Sequence, residues 1–187
     1  MKEGMMKKLI RPTPAPSYLS SYCHLTNKWS KNSPTSEERL DLWEKLYDMQ
    51  KGYCCYCESI AKHGEGHIEH FFHKGQNPDG SSPYKHLTFD WDNLFASCGH
   101  RSGDTCGHYK DREGPQGPGN YDPNKIIKPD VDNPLDYFEF LPTGTISIKS
   151  GLPANKVDRA EETLRVLNLQ HLNGRRNSRI DIYNLNQ

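Results

Sequence analysis

The sequence predicts a small α+β domain built around bound metal, with flanking helices and a β-hairpin towards the C-terminus. Three observations predict it. Five of the six cysteines and most of the histidines fall between Tyr53 and Asp111; such a concentration of sulfur and nitrogen ligands reads as metal chemistry. Hydrophobic residues make up only 33% of the 187, and the mean hydropathy is -0.92. The apolar core is therefore small for the length, and a metal staple compensates. Finally, short helix and strand signals alternate with Gly and Pro, which keeps the regular elements brief.

Taken in order, residues 1–34 read as an irregular arm. Pro12, Pro14 and Pro16 break helices and suit extended backbone. Thr35-Ser36-Glu37-Glu38 has capping-box spacing, which predicts a helix to about Gln50, with Gly52 placed to end it. Leu40, Trp43, Leu46 and Tyr47 share one face of that helix, its predicted core face. Next come a strand near residues 66–72, a loop to Phe89 and a short helical turn around Asn93 to Ser97. Gly114 to Pro123 is a loop. Tyr137 to Leu141, then Pro142-Thr143-Gly144, then Thr145 to Lys149 reads as a hairpin. A helix follows from Val157, with Val157, Ala160, Leu164 and Leu167 on one face. A second helix near His171 carries Arg175, Arg176 and Arg179. No internal repeat is visible.

Charge and hydropathy exclude some classes. The formal net charge is zero, so any basic footprint for nucleic acid is local. No apolar run approaches the length of a membrane span. Met1 to Pro16 lacks the apolar segment of a secretory signal. Clustered cysteines mixed with histidines favour a reduced compartment and zinc over disulfides, so the expected location is the cytoplasm.

Cys54 and Cys57 have the C-x2-C spacing that lets two thiolates bind one tetrahedral zinc from a tight turn. Cys98 and Cys106 complete a four-thiolate site, although Gly99 to Thr105 separate them more widely than in a usual knuckle. Cys55 is a spare, read as packing, and Cys23 is an ordinary thiol. His24 and His86 read as surface or packed residues. His67 and His70 stand three apart, and structural metal binding by both is open at this point.

In order and spacing these residues resemble the HNH endonucleases with a ββα-metal fold. The pattern runs Cys54/Cys57, Glu69-His70, Asn93-Leu94, Cys98/Cys106, then His108 with Lys110. Within that family they resemble more closely the PtuB-like branch of retron and Septu antiphage systems. Tyr53-Cys54 to Glu58, Ile68-Glu69-His70-Phe71, Asp90-Trp91-Asp92-Asn93-Leu94, and Glu162-Thr163-Leu164 to Leu169 followed by Arg175-Arg176 carry that likeness. It covers roughly residues 49–179. Two departures stand out. His73 replaces a proline in the pattern around Glu69 to Lys74. Gly107 follows Cys106 directly, where the wider family often has His or Asn. On this resemblance residues 35–125 are the nuclease core with its preceding helix, and residues 126–187 are the C-terminal hairpin and helices.

The resemblance implies a metal-dependent endonuclease acting in phage defence. Its implied partners are a PtuA-like ATPase and, in retron forms, a reverse transcriptase with its noncoding DNA. Zn2+ is structural and Mg2+ or Mn2+ catalytic. A divalent cation can bind a phosphate oxygen and the leaving oxygen, and a neutral imidazole can take a proton from water. His70 is the assigned general base. Glu69 takes the metal-side role, and His108 is the second ligand of the catalytic ion, with His100 as a competing candidate. Asn93 orients the His70 loop, or simply caps a turn. Lys110, Arg175 and Arg176 are assigned to nucleic-acid phosphates, although arginines so placed are commonly a solvated helix face.

Two rivals use the same residues. One is a zinc-stapled adaptor without catalysis that binds a partner ATPase. The other is a zinc nucleobase deaminase, since His67-Ile68-Glu69 matches H-x-E. That signature needs a downstream P-C-x-x-C, which is missing here.

Overall fold

The computed structural model describes residues 6–30, 32–76, 80–99, 103–141 and 145–173. Among these, three helices and two antiparallel two-stranded sheets appear: α1 (Ser36–Gln50), β1 (Gly66–His70), β2 (Leu94–Cys98), α2 (Cys106–Lys110), β3 (Phe138–Phe140), β4 (Ile146–Ile148) and α3 (Ala154–Val166). The chain is α+β, and a cluster of four cysteines lies beside its first sheet.

The capping box forms as the sequence predicts: the Thr35 side chain accepts from the Glu38 amide, and the Glu38 carboxylate accepts from the Thr35 amide at 2.7 Å. The helix stops at Lys51 and Gly52, both left-handed. Its buried face differs from the predicted one. Leu42, Leu46, Met49 and Gln50 are buried, whereas Leu40 and Tyr47 are 49% and 52% exposed. The reason lies at Gln50. Its amide donates to the Ala96 carbonyl at 2.8 Å and accepts from the Ala96 amide at 2.8 Å. It thus substitutes for a third strand along the open edge of β2, where unpaired backbone would be costly. Turning Gln50 towards that edge turns Leu40 and Tyr47 outward.

β1 and β2 pair from Gly66 with Cys98 to His70 with Leu94. β2 occupies the stretch read as a helical turn, and the helical piece is a single 3-10 turn just before it, at Trp91–Asn93. All five β2 residues are buried. A strand covered on both faces loses the alternation by which strands are recognised.

The N-terminal arm has little regular structure beyond a 3-10 turn at Ser17–Ser21, yet it clamps the back of β2. The Arg11 guanidinium pairs with Asp130 at 2.8 Å, donates to the carbonyls of Trp91 (2.6 Å) and Leu94 (3.0 Å), and lies over the Phe95 ring at 4.5 Å. Met6 is fully buried.

β3 and β4 fall inside the predicted hairpin; Pro142 to Gly144 lie outside the described residues. α3 buries Ala160, Thr163 and Leu164 and is anchored by Arg159, whose guanidinium meets Asp132 at 2.7 Å. After it the chain returns to the first sheet. The Cys106 amide donates to the Leu167 carbonyl at 2.9 Å, and Asn168 donates to the Asp104 carbonyl at 2.8 Å. Near His171 the structure has a 3-10 turn, Leu169–Leu172. Arg175, Arg176 and Arg179 lie outside the described residues. Among the described residues no helix is long and apolar enough to cross a membrane.

Candidate metal centres and candidate active site

The first half of the four-cysteine group is built by a turn and the second by the end of β2 and the start of α2. Cys54 to Ile60 folds back on itself: the Cys54 amide donates to the Ser59 carbonyl at 2.8 Å, the Glu58 amide donates to the Cys54 carbonyl at 3.1 Å, and Tyr53 bridges Ile60. The Cys55 amide donates to Ala96 at 3.1 Å, which docks this turn on β2. Cys98 is the last residue of β2. Cys106 opens α2 with a left-handed backbone (φ 59), a costly conformation for a residue other than glycine, held by its bond to Leu167.

The sulfurs of Cys54, Cys57, Cys98 and Cys106 are buried and lie within 4.8 Å of one another. Cys57 and Cys98 are 3.7 Å apart. Tetrahedral zinc with Zn–S bonds of 2.3 Å needs sulfurs about 3.8 Å apart. The thiols also conflict without a cation. Burial opposes charge on Cys54, but hydrogen bonds from Cys106 and the other cysteines hold its pKa well below the usual thiol range, while the bond to Cys54 pushes Cys106 up. One sulfur takes the charge at its neighbours' expense; a divalent metal lets all four be thiolates. The group can therefore hold a metal ion such as zinc. The Cys98–Cys106 gap is no obstacle, because the β2 strand end and the α2 start bring the two together. Cys55 is buried but not part of the group.

The second constellation lies on the α2 side of β1. Strand alternation puts His67 and Glu69 on one face and His70 on the other. The buried Glu69 carboxylate accepts from Tyr56 Oη at 3.3 Å and meets Lys110 Nζ at 3.1 Å through Oε1; its Oε2 lies 3.2 Å from His67 Nε2. Burial alone would raise its pKa, but Lys110 and then His67 outweigh it and hold the group at about 2. The His108 ring lies 4.0 Å, centroid to centroid, from that of His67. The close approach depends on Gly107. A Cβ there would collide with the Glu69 carboxylate and stand 2.9 Å from His67 Nε2. The departure from the resembled pattern at Gly107 thus has a physical role.

Lys110 requires a correction. Its side chain is 1% exposed, and its ammonium donates to the His70 carbonyl at 3.1 Å and is paired with Glu69 and Asp111. Burial opposes its charge, and the Glu69 and Asp111 carboxylates together raise its pKa above the normal lysine value. It neutralises the Glu69 site from inside and has no access to a phosphate.

His70 closes β1. Its Nε2 lies 3.0 Å from the Thr88 carbonyl, which can only accept, so Nε2 carries the hydrogen and Nδ1 the lone pair. The Trp29 ring meets it edge-on at 4.5 Å. Burial lowers its pKa to about 3, so the ring is neutral at physiological pH. Asn93 ties the ends of the long β1–β2 connection together: its carbonyl oxygen accepts from the Phe72 amide at 2.7 Å, and its nitrogen donates to Phe72 and Leu87 carbonyls, each at 3.1 Å.

Models of known protein families and a search of curated proteins give no match to this chain.

His67 is the participant that was not assigned a role in the resembled site. The signal for it was available: H-x-E spacing on a strand places both side chains on one face. Among the described residues the deaminase arrangement is absent, because the clustered ligands are four cysteines with no histidine among them. His100, Arg175 and Arg176 lie outside the described residues.

Proposed function

We propose that this chain is a metal-dependent nucleic-acid endonuclease of the HNH type, with β1, β2 and α2 as its ββα-metal core. The observation that carries the reading is the desolvated Glu69 carboxylate, beside an imidazole and above Gly107, on a helix anchored by a four-cysteine group. Zinc in the cysteine group fixes the start of α2 and so the position of His108. Glu69 and His108 would hold a catalytic divalent cation, Mg2+ or Mn2+, which would supply positive charge to stabilise the transferring phosphate. His70 points to the face of β1 opposite Glu69, so a local turn at the strand end would bring its ring, neutral and held in one tautomer by Thr88, to the same phosphate, where it would take a proton from water at Nδ1. The resulting hydroxide attacks phosphorus, a P–O bond breaks, and the leaving alkoxide is protonated by solvent. Asn93 is a positioning residue that fixes the segment following His70. By the resemblance, the chain acts in phage defence in the cytoplasm with a PtuA-like ATPase, and in retron forms with a reverse transcriptase and its noncoding DNA.

A second reading has its own observation. His70 is 1% exposed beneath Trp29, and Glu69 is paired with Lys110. A zinc-stapled adaptor that binds a partner ATPase needs neither group free. Cleavage of plasmid DNA and of total RNA by the zinc-loaded chain, with and without Mg2+ or Mn2+ and with the ATPase added, separates the two. Metal-dependent cutting supports the nuclease; no cutting under every condition supports the adaptor.

A further inference from the structure

The resembled pattern places its second imidazole or amide on the helix, directly after the cysteine. Here that position is Gly107, and the space above it is filled from the strand. His67 Nε2 stands 3.2 Å from Glu69 Oε2. Adjacent ligands of an octahedral ion with bonds of 2.0–2.1 Å are about 3.0 Å apart, so this pair already has the spacing of two neighbouring vertices. The other ring nitrogen, Nδ1, is buried and without a hydrogen-bond partner among the described residues. Nε2 is therefore the ring nitrogen that faces the carboxylate. The ring is neither fully interior nor free: 28% of the side chain is exposed, and the His108 ring lies against it. Solvent therefore reaches part of the ring.

The geometry points to His67 as a ligand of the catalytic divalent cation, partnering Glu69 through Nε2 and replacing the donor that Gly107 cannot supply. This rests on the nuclease reading of the Glu69 site. The glycine is then a consequence of moving the imidazole from helix to strand: any side chain at 107 would occupy the place where His67 and Glu69 converge. His108 contributes from the outer side, and His100 is not needed.

The test is Mn2+ binding to the full zinc-loaded chain, followed by the loss of the free-ion electron paramagnetic resonance signal. Wild type, His67→Ala, His67→Gln, His100→Ala and Glu69→Gln are compared, with zinc content and circular dichroism as controls for the fold. The expected result is one Mn2+ site weakened about ten- to hundred-fold or more by either His67 substitution and by Glu69→Gln, but not by His100→Ala. The 14N modulation of the bound Mn2+ echo should also weaken in His67→Gln. If Glu69→Gln abolishes binding while both His67 variants bind as wild type does, the His67 assignment is overturned and the Glu69 site stands. If the wild type binds no Mn2+, the nuclease reading and this inference fall together.

Discussion

The Glu69 carboxylate lies where a side chain at residue 107 would be. No methyl group fits between α2 and β1 at that point, so the polar centre of the molecule exists only with glycine there. Gly107→Ala must push Glu69 and His67 away from α2. Overpacking of this kind costs about 1–3 kcal/mol. The variant should keep its zinc, melt a few degrees lower and lose divalent-ion binding, as read by calorimetry and Mn2+ titration.

Lys110 gives a prediction that separates a buried ion pair from a nucleic-acid contact. Lys110→Met leaves Glu69 buried and uncompensated, a loss of about 3–5 kcal/mol. Denaturant melts should show it. The salt dependence of binding to DNA should keep its slope, because no phosphate contact is removed.

The four-cysteine group should behave as a folding element. Cys57→Ser should abolish stoichiometric zinc and collapse the cooperative thermal transition, since metal binding and folding are coupled in such sites. Cys55→Ser should keep one zinc per chain. Zinc retained in full by Cys57→Ser would show that the sulfurs do not share an ion.

His70 should resist protonation. Its folded pKa is about 3, below the roughly 6.5 of an unfolded histidine. A depressed histidine adds nothing unfavourable above pH 6.5. As pH falls from 6.5 towards 3 the unfolded chain takes the proton first, and stability drops by up to about 1.4 kcal/mol per pH unit. Imidazole 15N shifts followed from pH 8 to 5 should show His70 in a single neutral tautomer with hydrogen on Nε2. Titration near pH 6.5 would contradict the buried, Thr88-bound ring.

Asn93 should matter for stability before chemistry. Asn93→Ala orphans the Phe72 amide and carbonyl and removes one of the two donors to the Leu87 carbonyl, which keeps the Asp90 amide. Orphaned buried groups cost about 1–3 kcal/mol each. An urea melt should lose about 2–4 kcal/mol, and Asn93→Asp should recover less than half, having lost both donors.

The parts of this molecule that were legible in the sequence are those governed by local rules. The Thr35–Glu38 capping box, the Cys54–Cys57 turn and the Tyr137–Lys149 hairpin are each written in a few adjacent residues. The rest depends on what the chain meets in space. Leu40 and Tyr47 satisfy a helical period, yet Gln50 decides how α1 is rotated because the β2 edge needs an amide. β2 hides its strand character by being buried on both faces. Lys110 reads as a phosphate contact until Glu69 and Asp111 are seen to enclose it. His67 had the right spacing from Glu69, but only the missing Cβ of Gly107 shows why the two converge.

The central claim, catalysis by the His70 imidazole at a divalent-metal site, is tested most directly by single-turnover cleavage of nucleic acid in Mn2+ by wild type and His70→Ala, both verified for zinc and fold. The nuclease reading predicts metal-dependent cutting that falls at least about a hundred-fold in the variant. Equal cutting by the two proteins would contradict the assignment of His70 as the base, and no cutting by either, with the ATPase partner present, would leave the chain a zinc-stapled binding module.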